Sequence, residues 1–374
     1  MSKASELANL IGNINHGGGG AGRNLIINGA MHICQRHSTN SVQLSATEQY
    51  LTDRFFNDQG SSFDMKADAV QSTDTPSGFS NSLKLSCDGV STPTALQNGG
   101  ISQHIEGFNC QTARFGTSDA KPLTLSFYAK SGGTNTGHTY GIMCGAFLNG
   151  IRRCQTRGFT VTSSWQRFTM TFEPNSVVTS TGINNSNSNG LQVYFSLAAG
   201  SSDQFSRPVW TEDTGLRGFP SQNNFFDNTS NEFFLTGVQL EVGQNATSFE
   251  HIPFGQEIVK CQRYYCKSYG YGTVPGTSTA SGAVFDRFMT GTNVSNRTDM
   301  ATRFPVTMRS NPDITPYTLE GTVDNISDCG TGIAHANNRA VTSILNIGQN
   351  GFGGFSCGSF DNTGGYHYEA DAEL

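Results

Sequence analysis

The sequence predicts an all-β protein, and three observations carry that prediction. Only 14% of the 374 residues are Asp, Glu, Lys or Arg, against about 25% in an ordinary soluble domain. Gly (44 residues), with Ser, Thr and Asn, fills the space that charged helix formers would occupy. Short apolar runs alternate with period two and are separated by stretches of nearly pure turn chemistry, such as STGINNSNSNG over 180–190. A helical bundle, solenoid or coiled coil is thereby excluded. A formal charge of −6 speaks against a nucleic-acid partner, and 10% aromatic residues speak against disorder.

Residues 1–23 come first, as an anchor helix and a linker. Leu7, Leu10 and Ile11 fall at i, i+3 and i+4, one face of a short helix over 2–12 with Ser5 as its N-cap. So short a helix is not stable alone in water, so its apolar face needs something to pack on. HGGGGAGR over 16–23 is a flexible tether. A small amphipathic peg on such a tether suits attachment to another body.

Residues 24–252 read as a β-sandwich. Its expected strands include 24–29 (NLIING), 82–87 (SLKLSC) and 123–129, where Leu123, Leu125 and Phe127 share one face. Strands at 165–172, with Trp165 as a core residue, at 191–197 and at 233–242 complete the series. Asn28-Gly29 supplies a turn, Gly243 another, and Asp53 with Arg54 a buried ion pair at the first corner. Residues 253–374 form a third segment. It opens with a helix over about 256–265, rich in helix formers and free of Gly and Pro. Short strands follow at 301–304 and 343–347, and a closing strand over the last ten residues.

No run approaches 18 apolar residues, so no membrane-spanning helix is expected. The N-terminal apolar stretch is short and broken by Glu6 and Asn9, which argues against a signal peptide and for synthesis in a cytoplasm. Nine cysteines without a CxxC pair read as free buried thiols rather than a zinc site.

The chain carries no HExxH, GxSxG or phosphate-binding loop, so no catalytic residues and no cofactor are expected. Asp203, Glu212 and Asp213 near Trp210 are the nearest approach to a carboxylate pair, and a solvated acidic loop is their ordinary meaning. Sugar contacts would need aromatic rings on loops beside polar side chains. Trp210, in RPVWTED, and Tyr269 and Tyr271, among glycines, are the candidates.

NLIINGAMHICQR over 24–36, then YLTDRF over 50–55, resembles the opening of a family of phage tail fibre and minor virion structural proteins. LSFYAK (125–130), SWQRF (164–168), TGVQLEVG (236–243), ATSFE (246–250) and CQRYY (261–265) follow in the family's order, and FPVTMR (304–309) resembles its C-terminal domain. The resemblance covers about residues 24–320. It implies a jelly-roll domain like that of carbohydrate-binding modules, a place on a virion, assembly as a homo-oligomer, with a trimer favoured, contact with other virion proteins through the N-terminus, and attachment to a host-surface glycan. Host-polysaccharide binding as a module in its own right, and a depolymerase, are the competing readings. Related sugar-binding modules often hold Ca²⁺ through an Asp of the last strand. This chain has Thr236-Gly237 there, so no metal is expected.

Overall fold

The computed structural model describes residues 3–8, 22–175, 182–212, 215, 217–291, 294–298, 301–330, 337–357 and 363–374. Two compact units emerge. One comprises residues 1–34, 39–253 and 374, and the other residues 35–38 and 254–373.

The first unit is a sandwich of two antiparallel sheets. One has six strands in the order Val42–Gln43, Ala67–Ser72, Ser82–Cys87, Asn231–Val242, Leu123–Gly133, Gln166–Phe172. The other has seven: Thr211–Glu212, Ile151–Thr160, Thr139–Leu148, Asn189–Ala199, Asn98–Glu106, Phe55–Gly60, Tyr50–Thr52. The chain passes repeatedly from one sheet to the other, as a jelly roll does. Period-two patterning decides which side chains face inward. Leu123, Leu125, Phe127 and Ala129 are fully buried between the sheets, as are Leu83, Leu85, Phe233 and Leu235 from the neighbouring strands. Phe127 sits at the centre. Its ring lies 5.1 Å from Phe159 and 5.1 Å from Phe195, both edge-on, and 5.3 Å from Phe168, stacked.

The segment 24–29, expected as a strand, joins no ladder. Two asparagine side chains take over that task. The Asn24 amide donates to the Val238 carbonyl, while its oxygen accepts from the Ile26 and Leu240 N–H groups. Asn28, at φ 60°, donates to the carbonyls of Ile33 and Asp53 and accepts from the Ile33 N–H. Local side-chain bonds of this kind compete with regular structure. Gly29 lies so close to the Val238 carbonyl that a Cβ would sit 2.0 Å from the oxygen. Asp53 and Arg54 are both buried, and Arg54 donates to the His104 carbonyl.

The second unit is built around the strand Thr363–Asp371. Its first half pairs with both Val284–Gly291 and Asn325–Gly330, and its second half with Tyr265–Lys267 and Asp313–Tyr317. From Val284–Gly291 the ladder runs through Val294–Thr298, Gly354–Cys357 and Asn337–Leu345 back to Asn325–Gly330, so six strands close into a ring. Closure leaves these strands without a free edge. The helix Phe254–Gln262 precedes the strand Tyr265–Lys267. No helix among the described residues is long and apolar enough to cross a membrane.

Candidate functional site

The anchor residues divide. Residues 3–8 are helical and Leu7 is 57% exposed. Leu10 and Ile11 lie outside the described residues.

Trp210 is not a presented ring. It is 8% exposed, packs edge-on against Phe115 at 5.1 Å, and donates its indole N–H to the Glu173 carbonyl. The strand that follows it, Thr211–Glu212, pairs with Arg153 and Cys154. Tyr269 is also buried. It stacks on His367 at 3.8 Å and its hydroxyl accepts from the Gly276 N–H. Tyr271 is 37% exposed and meets the exposed Phe254 at 5.3 Å. Lys267 donates to the carbonyls of Tyr271 and Thr273, which fixes the loop that carries this tyrosine. The three carboxylates do not form an acid–base pair. Asp203 is buried and accepts from the Arg217 and Gly218 N–H groups, Glu212 is exposed, and Asp213 lies outside the described residues.

The outer face of the seven-stranded sheet is filled by the chain itself. Arg217 pairs with Asp58 and lies over the Tyr194 ring at 5.5 Å. Gln192 donates to Asp58 and Ser102 at 2.9 Å each and accepts from Arg152 at 2.8 Å. Phe219 occupies the space over Gly141 and Gly158, where a Cβ would come within 2.9 and 2.4 Å of it. Burial raises Asp203 to about 6 and raises Glu48 as well, which Asp58 reinforces.

The outer face of the six-stranded sheet is different: Trp165, Tyr128 and Phe79 are partly exposed on it, while Phe234 is buried beneath its neighbours. Lys84 and Lys130 flank Phe234 in register across three strands, and Trp165 follows at the edge strand, next to Gln166 opposite Ala129. The Trp165 indole donates to Asp74 Oδ1 at 3.0 Å, and Lys130 donates to Asp74 Oδ2 at 2.5 Å. Lys130 also lies 4.7 Å over the Phe234 ring and 5.6 Å from that of Trp165. Lys84 pairs with Glu232 at 2.6 Å. Burial works to raise the Asp74 carboxyl, but the bonds from Lys130 and Trp165 outweigh it, and the group ends below its usual value. Trp165 is therefore half-buried, with its indole N–H held by Asp74, rather than a core residue.

A second group of rings lies on the same face. Tyr128 stands two residues before Lys130 on its strand and meets Phe79 at 5.3 Å. Phe79 contacts Phe249 at 5.0 Å and His251 at 5.2 Å. Gly237, at φ +62°, makes room for them, since a Cβ there would come within 2.8 Å of Phe79 and 2.9 Å of Tyr128. Fixed rings beside paired carboxylate and ammonium groups can take the apolar face of a ligand while hydrogen-bonding its hydroxyls.

The phrases that carry the sequence resemblance serve as scaffold. Arg36 lies 3.7 Å over the Tyr265 ring and pairs with Asp371 at 2.8 Å and Glu373 at 3.3 Å, and Gln35 donates to the Tyr265 carbonyl. Among the described residues, no three His, Cys, Asp or Glu side chains are grouped as a metal would require.

No family model and no curated protein matches the chain. Solved structures similar to it include the enzymatically active domain of tailspike protein 4 of bacteriophage CBA120, at 12% identity and a TM-score of 0.30, covering 59% of this chain and 21% of that one. The family 11 carbohydrate-binding module of a Clostridium thermocellum cellulosomal cellulase matches at 14% identity and 0.28, covering 55% and 98%. A xylan-binding domain of Paenibacillus barcinonensis Xyn10C matches at 10% and 0.27, covering 56% and 99%. The chain thus spans about a fifth of the tailspike domain's length. Likenesses at this level decide nothing about activity.

Proposed function

We propose that this chain is a non-catalytic structural protein of a phage particle, assembled as a homo-oligomer, that holds a host-surface saccharide on the outer face of its six-stranded sheet. The observation that carries the binding role is Trp165. Its ring is half-exposed yet held by Asp74 and flanked by Lys130, so little ordering entropy is lost when a sugar stacks on it. Asp74 and Glu232 would accept sugar hydroxyls, and Lys84 and Lys130 would donate to them. The particle role is supported by the ordered sequence phrases and by the exposed Leu7 on its glycine tether.

Glycan-array and calorimetric binding with the full chain tests the first part. Trp165→Ala should weaken binding at least tenfold while leaving the circular dichroism spectrum unchanged. A wild-type chain that binds no host glycan, or a variant that binds as well as wild type, overturns it. For the particle role, removal of residues 1–23 should abolish incorporation into virions. Normal incorporation of the truncated chain refutes the anchor.

A further inference from the structure

One edge of the sandwich is long and open. Among the other strands that end its two sheets, Val42–Gln43, Tyr50–Thr52 and Thr211–Glu212 run for only two or three residues. Gln166–Phe172 runs for seven, pairs with Leu123–Gly133 alone, and keeps its register without a bulge. It carries no Pro and no Lys. Proteins blunt their sheet edges with short strands, bulges, Pro or Lys, because an open edge recruits another strand. This edge has none of these devices.

Two contacts fix the direction of its backbone groups. The Thr171 and Thr124 hydroxyls, opposite each other on the paired strands, lie 3.1 Å apart, as in the close pairs that share no backbone bonds. Arg157, on a strand of the other sheet, donates to the Thr171 carbonyl at 3.3 Å, so that carbonyl points away from the ladder. Residues two apart point the same way. Arg167, Thr169 and Thr171 therefore turn their N–H and C=O groups outward. Among the described residues, no other bond reaches these N–H groups or the carbonyls of Arg167 and Thr169. Beyond Phe172 the chain closes the edge itself. Gln155 bonds both the N–H and the carbonyl of Glu173, and Trp210 donates to the same carbonyl.

The open stretch is complementary to a second copy of itself. Laid antiparallel about a two-fold axis at Thr169, Thr169 meets its own counterpart, Arg167 meets Thr171, and Phe168 meets Met170. Each outward pair can exchange both its N–H···O bonds. Opposed threonines are favourable, whereas like charges directly opposite are not. The single charge of the strand, on Arg167, faces a neutral hydroxyl in this register. Moving the axis to Arg167 would set two guanidinium groups face to face, and moving it to Thr171 would run Arg167 past the closed end. Phe168 and Met170 are half-buried at the core margin, so their contact covers apolar surface and puts sulfur against a ring.

We propose that two copies of the chain pair edge to edge through residues 166–171, antiparallel and centred on Thr169. The pairing joins two six-stranded sheets into one, with both Trp165 rings on the same outer face. It rests on the homo-oligomer proposed above, for which it supplies the contact, and is independent of sugar binding.

The measurement is the mass of the full chain by sedimentation, without glycan, over a concentration series up to about 100 µM, since so short a strip binds at the weak end of the range. The wild-type mass should double. Thr169→Lys places like charges across the axis and should leave a monomer with an unchanged circular dichroism spectrum, because Thr169 is exposed. Thr169→Cys should join two chains through a short bis-maleimide, while Thr160→Cys, exposed on another strand, should not. A wild-type chain that stays monomeric overturns the pairing and the homo-oligomer together. An oligomer that Thr169→Lys leaves intact and Thr169→Cys does not cross-link overturns the pairing alone, since the contact then lies elsewhere. Slow hydrogen exchange at residues 167, 169 and 171 of a monomer would put another segment of the same chain on the edge and overturn it as well.

Discussion

Replacing Phe127 by Ala tests what joins the two sheets of the sandwich. The side chain is fully buried and contacts three rings, Phe159, Phe168 and Phe195. Phe→Ala at a core site costs about 3–5 kcal/mol. Each aromatic pair adds about 0.5–1.5 kcal/mol beyond burial. Three such pairs place Phe127 at the top of that range, about 4–5 kcal/mol. The next residue supplies the control. Tyr128 points to the opposite face, is half-buried, and has Phe79 as its ring neighbour, so Tyr128→Ala should cost about 1–2 kcal/mol. Urea unfolding followed by tryptophan fluorescence is the assay. Both tryptophans, Trp165 and Trp210, belong to the sandwich unit, so unfolding of the second unit does not enter the signal directly. A loss below about 2 kcal/mol for Phe127→Ala, or one no larger than for Tyr128→Ala, would refute the inward assignment of this ring cluster.

Two further outcomes are expected. Burial raises Asp203 to about 6 in the folded chain, against about 3.9 when unfolded. The folded state thus binds this proton more tightly, so the stabilisation is complete below about pH 4 and lost as pH rises through about 6. Relative to Asp203→Asn, the wild-type urea midpoint should increase as pH falls from 7 to 4, and a constant difference across that window would exclude the linkage. Burial also pushes the Cys266 and Cys357 thiols up to about 12 and raises Cys110 and Cys144 strongly. All nine cysteines are buried, so an aromatic disulfide reagent at pH 8 should label native protein slowly and all nine sites after denaturation. Rapid labelling of several native thiols would contradict the burial.

Much of the fold was legible because period-two alternation is local. Leu123, Leu125 and Phe127 declared their shared face, and the strand Leu123–Gly133 keeps it. The strands Asn98–Glu106 and Ile151–Thr160 give little signal in the sequence. Their Gly, Arg, Gln and Thr residues weaken the apolar signal, and tertiary pairing rather than propensity forms them. The segment 24–29 read as a strand because its apolar residues hide the two asparagines that hold the backbone bonds. The sequence itself holds the reason that Trp165 is not a core residue. Phe168, Met170 and Phe172 set the inward parity of that strand, and Trp165 lies three residues before Phe168, an odd step, so it faces outward. Asp74 could not be assigned to Trp165 in advance, since the two are 91 residues apart and nothing local links them. The same holds for Arg36 on Tyr265.

The strand Thr363–Asp371 has a bearing on how the chain is made. It touches four other strands, and every one of them precedes it in the sequence. Residues 35–38, which belong to the same unit, leave the ribosome more than two hundred residues earlier than that unit's main stretch. At roughly 5–20 residues per second, those four residues wait tens of seconds, while the sandwich already holds most of its own sequence. The second unit can therefore complete only after synthesis has passed its central strand. During that interval the unpaired edges of its strands are exposed on the nascent chain, where they can pair wrongly with other chains.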